Sequence, residues 1–258
     1  MITSNQNPKL KLARALLGRS KERREANAFV AEGVRLVEEA ANADWPIQFV
    51  LYADGVSPRG LTLIQTLKAK GTDVEEVSAD LMQSVSETET TQGILAVLND
   101  GQILLPESAN FILIPDQIRD PGNLGTLIRS AAAAGVQAIL LPPDTADAFA
   151  PKVVRAGMGA HFRMPIREMS WEEIKLATKS LKVYLADMDG QSCWDVNLRA
   201  PLALIVGNEA EGASEEARQL TKKKISIPMS GKVESLNAGV AGSVLMFEIV
   251  RQRIKHEI

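Results

Sequence analysis

The side chains best suited to chemistry lie in three glycine-bearing loops, each of which follows a predicted strand in the second half of the chain. The first loop, which contains Asn123 and Gly125, runs into a helical pattern that carries Arg129. We interpret Asn123 as the N-cap of that helix. An ordinary capped helix with a surface arginine would explain this pattern, and so would a guanidinium placed to bind an anion or a ribose.

The second loop, Gly207-Asn208-Glu209-Ala210-Glu211-Gly212, comes directly after an apolar strand. Its two glycines let the backbone approach a ligand closely. Taken alone the pattern is weak, because it also fits the entry to a helix that starts near Ser214.

The third loop runs from Ile227 to Asn237, turns at Gly231 and leads into the final helix. A capped helix start would again account for it. The final helix, however, is apolar almost all round, and such a helix is either buried or shared between its own domain and a partner. We therefore favour an oligomer contact through this helix.

The elements that must position these loops alternate between strand and helix. From Phe111 onward this rhythm predicts a mostly parallel α/β sheet with covered faces, in which ligands bind beyond the carboxyl ends of the strands. The first hundred residues predict a smaller α/β unit, and turn-forming residues near position 100 predict a boundary between domains 1–100 and 108–258. The predicted helices cover 9–17, 34–41, 61–70, 79–84, 124–134, 151–156, 171–181 and 237–253, and the predicted strands cover 47–52, 74–77, 93–98, 111–114, 138–141, 183–186, 202–206 and 225–227.

Composition excludes several classes of protein. The 258 residues are 45% hydrophobic and 24% charged, as in ordinary globular proteins. A single cysteine, Cys193, excludes an internal disulfide and a cysteine-based zinc site, and two histidines leave little for other metal chemistry. We expect no metal. The chain shows no apolar signal region and no membrane-length apolar run, so we expect a cytoplasmic protein without a membrane partner.

Charge is spread unevenly along the chain. The net charge is −3, but residues 1–35 carry eight basic against three acidic side chains, which leaves −8 for the remainder. A solvated helix face would explain the basic segment equally well, but the sharper hypothesis is an arm that faces nucleic acid. The candidate RNA-binding residues are Lys9, Lys11, Arg14, Arg19, Lys21, Arg23, Arg24 and Arg35.

Together, and in this order, the three loops resemble the motifs of the SpoU/TrmH family, the RNA ribose 2′-O-methyltransferases of the SPOUT superfamily. The resemblance covers residues 108 to about 254. Residues 1–100 look like that family's N-terminal substrate-binding domain, whose fold is similar to certain RNA-binding ribosomal proteins. The resemblance implies a C-terminal trefoil knot and S-adenosylmethionine as cofactor. It also implies a homodimer, joined through the knot region and the C-terminal helix, in which the partner completes each site.

The resemblance also implies roles for individual residues. Arg129 would hydrogen-bond the ribose 2′-oxygen, Asn123 would orient Arg129 or the ribose, and Glu209 would anchor loops or partner contacts. Ser235 and Asn237 would fix the third loop and the site. The implied cofactor-binding residues are Ala186, Gly207, Ile227, Met229, Ser235 and Leu236.

The same resemblance leaves the RNA open. The additional N-terminal domain favours structured ribosomal RNA, because the tRNA-specific branch of the family often lacks such a domain. The alternatives are a tRNA ribose 2′-O-methyltransferase and a catalytically inactive RNA-binding relative. A small-molecule α/β enzyme would leave the basic N-terminal segment unexplained.

Overall fold

In the computed structural model, which describes residues 1–87, 91–101, 103–208, 211–231 and 235–254, the chain forms two compact units. The first unit is built from Met1–Gln102 and Phe149–Phe162, and the second from Ile103–Ala148 and Arg163–Ile258. The predicted boundary near residue 100 does not anticipate that residues 149–162 leave the second unit and pack with the first.

The first unit contains a four-stranded mixed sheet in the order β1-β4-β2-β3, in which only β2 and β3 are parallel. Sequence patterns missed α2 and β1, because α2 is dominated by charged residues and β1 is a short strand buried along its whole length. The elements are α1 Pro8–Gly18, α2 Ser20–Ala26, β1 Ala28–Glu32, α3 Val34–Asn42, β2 Ile47–Ala53, α4 Pro58–Ala69, β3 Val74–Val77, α5 Ala79–Ser84 and β4 Ile94–Asn99.

Two contacts hold distant parts of the first unit together. Helix α1 buries Leu10 and Leu16 completely in the core beneath the sheet. On β1, the Phe29 ring lies 4.9 Å from that of Phe149 and 6.3 Å from that of Phe162, centroid to centroid. These aromatic contacts stabilise the packing of residues 149–162 in the first unit, because large rings contribute much of the burial energy of a core.

The second unit contains a six-stranded parallel sheet in the order β10-β8-β9-β5-β6-β7. This confirms the predicted α/β class with a mostly parallel sheet. The short β7 and α9 were not predicted, and β8 extends six residues beyond its predicted end at Ala186. Helix α7 Pro151–Gly157 and a 3₁₀ turn Ala160–Phe162 lie in the segment that belongs to the first unit. The elements of the second unit are β5 Phe111–Pro115, α6 Pro121–Ala133, β6 Ala138–Leu141, β7 Ile166–Glu168, α8 Trp171–Ala177, β8 Lys182–Ser192, β9 Leu202–Val206, α9 Glu215–Leu220, β10 Lys224–Ser226 and α10 Ala238–Ile254.

The predicted N-cap of α6 is wrong. The helix begins at Pro121, and Asp120 is its N-cap, because the Asp120 side chain accepts a hydrogen bond of 2.8 Å from the N–H of Asn123. Proline favours the first helical position, where its missing N–H costs nothing. Asn123 consequently lies within the first turn, where its side chain is available for another contact.

Candidate active site

A cavity of about 600 Å³ lies beside β8, β9 and β10 in the second unit. Its volume is within the range of small-molecule sites in proteins. One wall is formed by residues 186–189 of β8, and another by residues that follow β9. The loop after β10 and the inner face of α10 complete it. The cavity therefore occupies the position at the ends of parallel strands where α/β proteins bind ligands.

All six predicted cofactor-binding residues line this one cavity. They come from three segments that are far apart in the sequence and meet only because β8, β9 and β10 are neighbours in the sheet order. The six residues are Ala186, Gly207, Ile227, Met229, Ser235 and Leu236.

The second loop owes its shape to its glycines. A Cβ atom on Gly207 would lie only 2.8 Å from the backbone of Gly212 and Ala213. Gly212 has a φ of +72°, a conformation that side-chain-bearing residues rarely adopt. The loop closes through paired backbone hydrogen bonds of 3.0 Å between Asn208 and Gly212. These glycines let the chain double back against the cavity.

A buried carboxylate that the motif analysis missed ties the first loop to the second. Asp116 directly follows β5 and is fully buried, and its Oδ2 accepts a 2.6 Å hydrogen bond from the N–H of Ser214. Burial raises the pKa of Asp116, against the opposing effect of the hydrogen bonds with Ser214. Nearby, the Asn208 side chain donates to the carbonyl of Gln117 at 3.1 Å. The only sequence signal was an acidic residue at a strand end.

Charged side chains form one part of the cavity wall. The Lys224 Nζ lies 2.9 Å from Oδ2 of Asp187, and the Arg218 Nη1 lies 3.5 Å from the same atom. Partial burial alone would raise the pKa of Asp187, but hydrogen bonds from Lys224 and the Asp189 N–H, with the charges of Lys224 and Arg218, lower it. Asp187 is therefore held as a carboxylate.

The predicted catalytic residues divide into two groups. Ser235 lines the cavity, whereas Arg129, Asn123 and Asn237 do not belong to its wall. The Asn237 side chain donates a 2.8 Å hydrogen bond to Oδ1 of Asn123, so α10 and α6 meet at this point. Arg129 is exposed on α6. Glu209, the remaining predicted residue, lies outside the described residues.

The predicted RNA-binding residues of the first unit do not form one free surface. Arg23 is buried and donates from Nη1 to the carbonyl of Leu16 at 2.5 Å, which corrects the expectation that it faces RNA. Lys9 is half-buried between Asp73 and Glu75, and Arg14 contacts Asn5 and Ser84. The members that are exposed are Lys11, Arg19, Lys21, Arg24 and Arg35.

The described residues contain neither a cluster suited to a metal ion nor a membrane-spanning helix. Within them, no group of three or more His, Cys, Asp or Glu side chains is placed to hold a metal ion. No helix of the described chain is long and apolar enough to cross a membrane.

The fold and the cavity define an α/β protein with a cavity of small-molecule size, formed by glycine-bearing loops at the ends of parallel strands. The chain belongs to the SpoU rRNA methylase family, whose model matches residues 110–247. The model of the MRM3-like substrate binding domain matches residues 7–96. These matches confirm the family resemblance of the three motifs.

Relatives cover nearly the whole chain. The 23S rRNA (guanosine(2553)-2′-O)-methyltransferase of Bacillus subtilis is 36% identical over 96% of this chain and 98% of its own. The 23S rRNA (uridine(2479)-2′-O)-methyltransferase of Streptomyces viridochromogenes is 32% identical over 98% of this chain and 92% of its own.

Solved structures of methyltransferases superpose on this chain over nearly its whole length. The SpoU methyltransferase AviRb of Streptomyces viridochromogenes, in complex with the cofactor AdoMet, superposes with a TM-score of 0.88 at 29% identity, over 96% of this chain and 99% of that one. The AdoMet-bound rRNA methyltransferase of Sinorhizobium meliloti gives a TM-score of 0.85 at 30% identity, over 97% of both chains.

Proposed function

We propose that this protein transfers a methyl group from S-adenosylmethionine to a ribose 2′-hydroxyl of ribosomal RNA. The observation that carries the proposal is the convergence of all six predicted cofactor-binding residues on one cavity. Relatives that match almost end to end are named 23S rRNA 2′-O-methyltransferases, which supports the same substrate class here.

The residues of the cavity fit the cofactor. Its volume suits a molecule of this size, and the absent side chain of Gly207 leaves space that a Cβ would fill. Ile225, Ile227 and Leu236 offer apolar surface for an adenine ring. S-adenosylmethionine supplies an electrophilic methyl group carried on a sulfonium sulfur. The chain's task is to hold the acceptor oxygen in line with that methyl group and to exclude water.

Arg129 is the proposed catalytic residue. A guanidinium carries five N–H donors and no acceptor, so Arg129 acts as a hydrogen-bond donor rather than a general base. It would donate to the 2′-oxygen and to a neighbouring phosphate, and the RNA phosphate would assist removal of the proton. Asn123 and Asn237, which bond each other, would hold the start of α6 beside α10. Ser235 would fix the third loop, and Glu209 would anchor the second.

The separation of Arg129 from the cavity wall supports a homodimer. We propose that Arg129 of the partner subunit completes each site, through an interface of α10 and the knot region. On α10 the exposed apolar residues Val240, Phe247 and Ile254 recur every seven residues and form one stripe along the helix. Such a stripe is costly in water and is covered by a second copy in this proposal.

We further propose that the C-terminal segment forms a trefoil knot. In support, α10 returns to pack on α6 and β9, and Gly242 lets it approach Leu127 and Val206 closely. A hydrogen bond of 2.7 Å between Ser243 and Ser130 joins the same two helices. The first unit would bind the RNA through its exposed basic residues, in the cytoplasm.

The activity is tested with tritiated S-adenosylmethionine and 23S rRNA transcripts, followed by mapping of ribose methylation in total RNA with and without the gene. We expect one additional 2′-O-methyl group in ribosomal RNA when the gene is present. Methylation of a base, methylation of tRNA alone, or cofactor binding without any methylated product would contradict the proposal.

The shared site is tested with two variants that should each be inactive alone, Arg129→Ala and Gly207→Val. They are co-expressed with different affinity tags, so that the mixed dimer can be purified. A mixed dimer retains one site with an intact cavity and an intact Arg129 from the other subunit. We therefore expect the purified heterodimer to recover up to about half of the wild-type activity, because one of its two sites is whole. No recovery would place both residues in the same subunit's site.

A further inference from the structure

The cavity has two chemically different walls. Ile225, Ile227 and Leu236 make one side apolar, whereas Asp187, Asp189 and Arg218 make another side charged. Among the described residues that line the cavity, Arg218 is the only one with a positively charged side chain. The charged wall is not accounted for by the three motifs, which contain none of these residues.

Arg218 is held at two points and keeps spare donors. It lies on α9, just after the second loop, and its Nε donates to the carbonyl of Ala213 at 3.2 Å. Its Nη1 makes a long contact of 3.5 Å with Asp187. A guanidinium carries five N–H donors. Among the described residues, the Arg218 Nη2 has no hydrogen-bond partner. It lies close to Gly212 of the second loop, 3.2 Å from the position that a Cβ on that glycine would occupy.

Asp187 is suited to orient this guanidinium. Its Oδ1 accepts a hydrogen bond of 3.0 Å from the N–H of Asp189, and its Oδ2 lies 2.9 Å from the Lys224 Nζ. The position of the carboxylate is therefore fixed independently of Arg218. Lys224 itself does not line the cavity. Asp187 therefore turns one edge of the guanidinium toward itself and leaves the other edge for a ligand.

We propose that Arg218 binds the carboxylate in the amino-acid portion of S-adenosylmethionine, with Asp187 as its positioning residue. The proposal rests on the proposed function. The cofactor carries one carboxylate, one ammonium and one sulfonium. The described residues of the cavity wall present charges of the opposite sign, one cation and two carboxylates. Guanidinium and carboxylate form bidentate pairs, which also select orientation. The apolar wall is then left for the adenosyl portion.

The test compares two ligands that share the adenosine and the thioether sulfur. S-adenosylhomocysteine carries the amino-acid portion, and 5′-deoxy-5′-methylthioadenosine lacks it. Calorimetric titration of Arg218→Ala should show S-adenosylhomocysteine weakened by about tenfold or more, the size of a lost charge-assisted hydrogen bond. The affinity for methylthioadenosine should stay within about twofold. Arg218→Lys should recover part of the loss, because it keeps the charge but not the fork.

Two further variants keep the test decisive. Arg199→Ala removes an exposed arginine outside the cavity wall and should leave both affinities unchanged. Arg218→Gln keeps most of the aliphatic stem and replaces Arg218→Ala if the latter does not fold; retained methylthioadenosine binding reports an intact cavity.

The remaining outcomes overturn the assignment in recognisable ways. Equal losses for both ligands would mean that Arg218 only shapes the cavity. Unchanged affinity for both would also refute it, and if RNA binding fell instead, Arg218 would contact an RNA phosphate. If the wild-type protein bound neither ligand, the proposed function would be refuted as well. The wild-type titration alone separates this outcome from the others.

Discussion

The two units of this protein differ in how well functional residues could be located before the fold was known. In the second unit, the predicted cofactor-binding residues converge on one cavity. In the first unit, the predicted RNA-binding residues scatter between buried, paired and exposed positions. The two predictions used different evidence, since one rested on motifs at strand ends and the other on an excess of basic residues.

The difference follows from what each kind of evidence constrains. Parallel strands end at one edge of a sheet, so residues that follow β8, β9 and β10 must meet wherever those strands are neighbours. A count of charges carries no such geometry. Lys9 is paired with carboxylates of β3 and its neighbouring loop, and Arg23 satisfies a backbone carbonyl. Local pairs of this kind remove a charge from the surface without changing the net charge of the segment.

The strongest expected effect separates chemistry from cofactor binding within the second unit. Arg129→Ala should lower the single-turnover methylation rate by about 100-fold to 1,000-fold, the usual loss when a donor to developing charge is removed. Its affinity for S-adenosylhomocysteine should stay unchanged, because Arg129 is not part of the cavity wall. Rapid-quench methylation assays and calorimetric titration measure the two quantities.

The control for that experiment is Arg199→Ala, which removes an exposed arginine of the same unit. It should methylate at the wild-type rate. A wild-type methylation rate for Arg129→Ala would show that Arg129 takes no part in the reaction.

The second prediction tests the glycine loop that closes the cavity. Gly207→Ala places a Cβ 2.8 Å from backbone atoms that cannot rotate away, so the loop must shift. Overpacking of this kind costs about 1–3 kcal/mol, and we expect cofactor affinity to fall by about tenfold or more. Gly18→Ala, at the end of α1 with no atom near the new Cβ, is the matched control. Equal cofactor affinity in both variants would show that the loop tolerates the shift.

The third prediction sharpens the comparison by testing the first unit where it is exposed. Deleting the N-terminal helices would remove Leu10 and Leu16 from the core, so substitutions are the cleaner experiment. Replacing Lys11, Arg19 and Lys21 by glutamine should weaken RNA binding several-fold and reduce the slope of log affinity against log salt by about 2, if all three contact phosphate.

The matched control for this triple variant replaces three exposed lysines of the second unit, Lys175, Lys179 and Lys182, by glutamine. The two variants lose the same total charge. An identical change in the salt slope for both would show that only net charge matters and would end the case for a basic face on the first unit.

Particular residues show why prediction from sequence succeeded and failed in this chain. Strands such as β6 and β9 were located because their apolar runs are bounded by turn residues, and the family was identified from three motifs in order. The N-cap of α6 was misplaced because both Asp120 and Asn123 are good caps, and the choice depends on Pro121. The contact of residues 149–162 with the first unit depends on Phe29 and Phe149, which are 120 positions apart in the sequence. Periodicity within a window cannot detect such a pair.

Asp116 provides the smallest expected effect and a test of the link between the first and second loops. Burial raises its pKa in the folded state, so the folded protein binds the proton more tightly than the unfolded chain. The free energy of unfolding of the wild type, relative to that of Asp116→Asn, should therefore rise as the pH falls through the folded-state pKa of Asp116. This relative stability should be lowest at neutral pH. The asparagine keeps an oxygen that accepts the Ser214 N–H, so the hydrogen bond itself is not removed.

The difference in the free energy of unfolding between the two proteins, measured by urea denaturation from pH 8 to pH 5, should shift in favour of the wild type as the pH falls. Besides burial and the hydrogen bonds with Ser214, the charge of Glu216 raises the pKa of Asp116 and the charge of Arg218 lowers it, so both contribute to the pH dependence that the comparison measures. A difference that is independent of pH would mean that Asp116 titrates as it does in the unfolded chain. In that case the hydrogen bond to Ser214 would tie the two loops together at no cost from the buried charge.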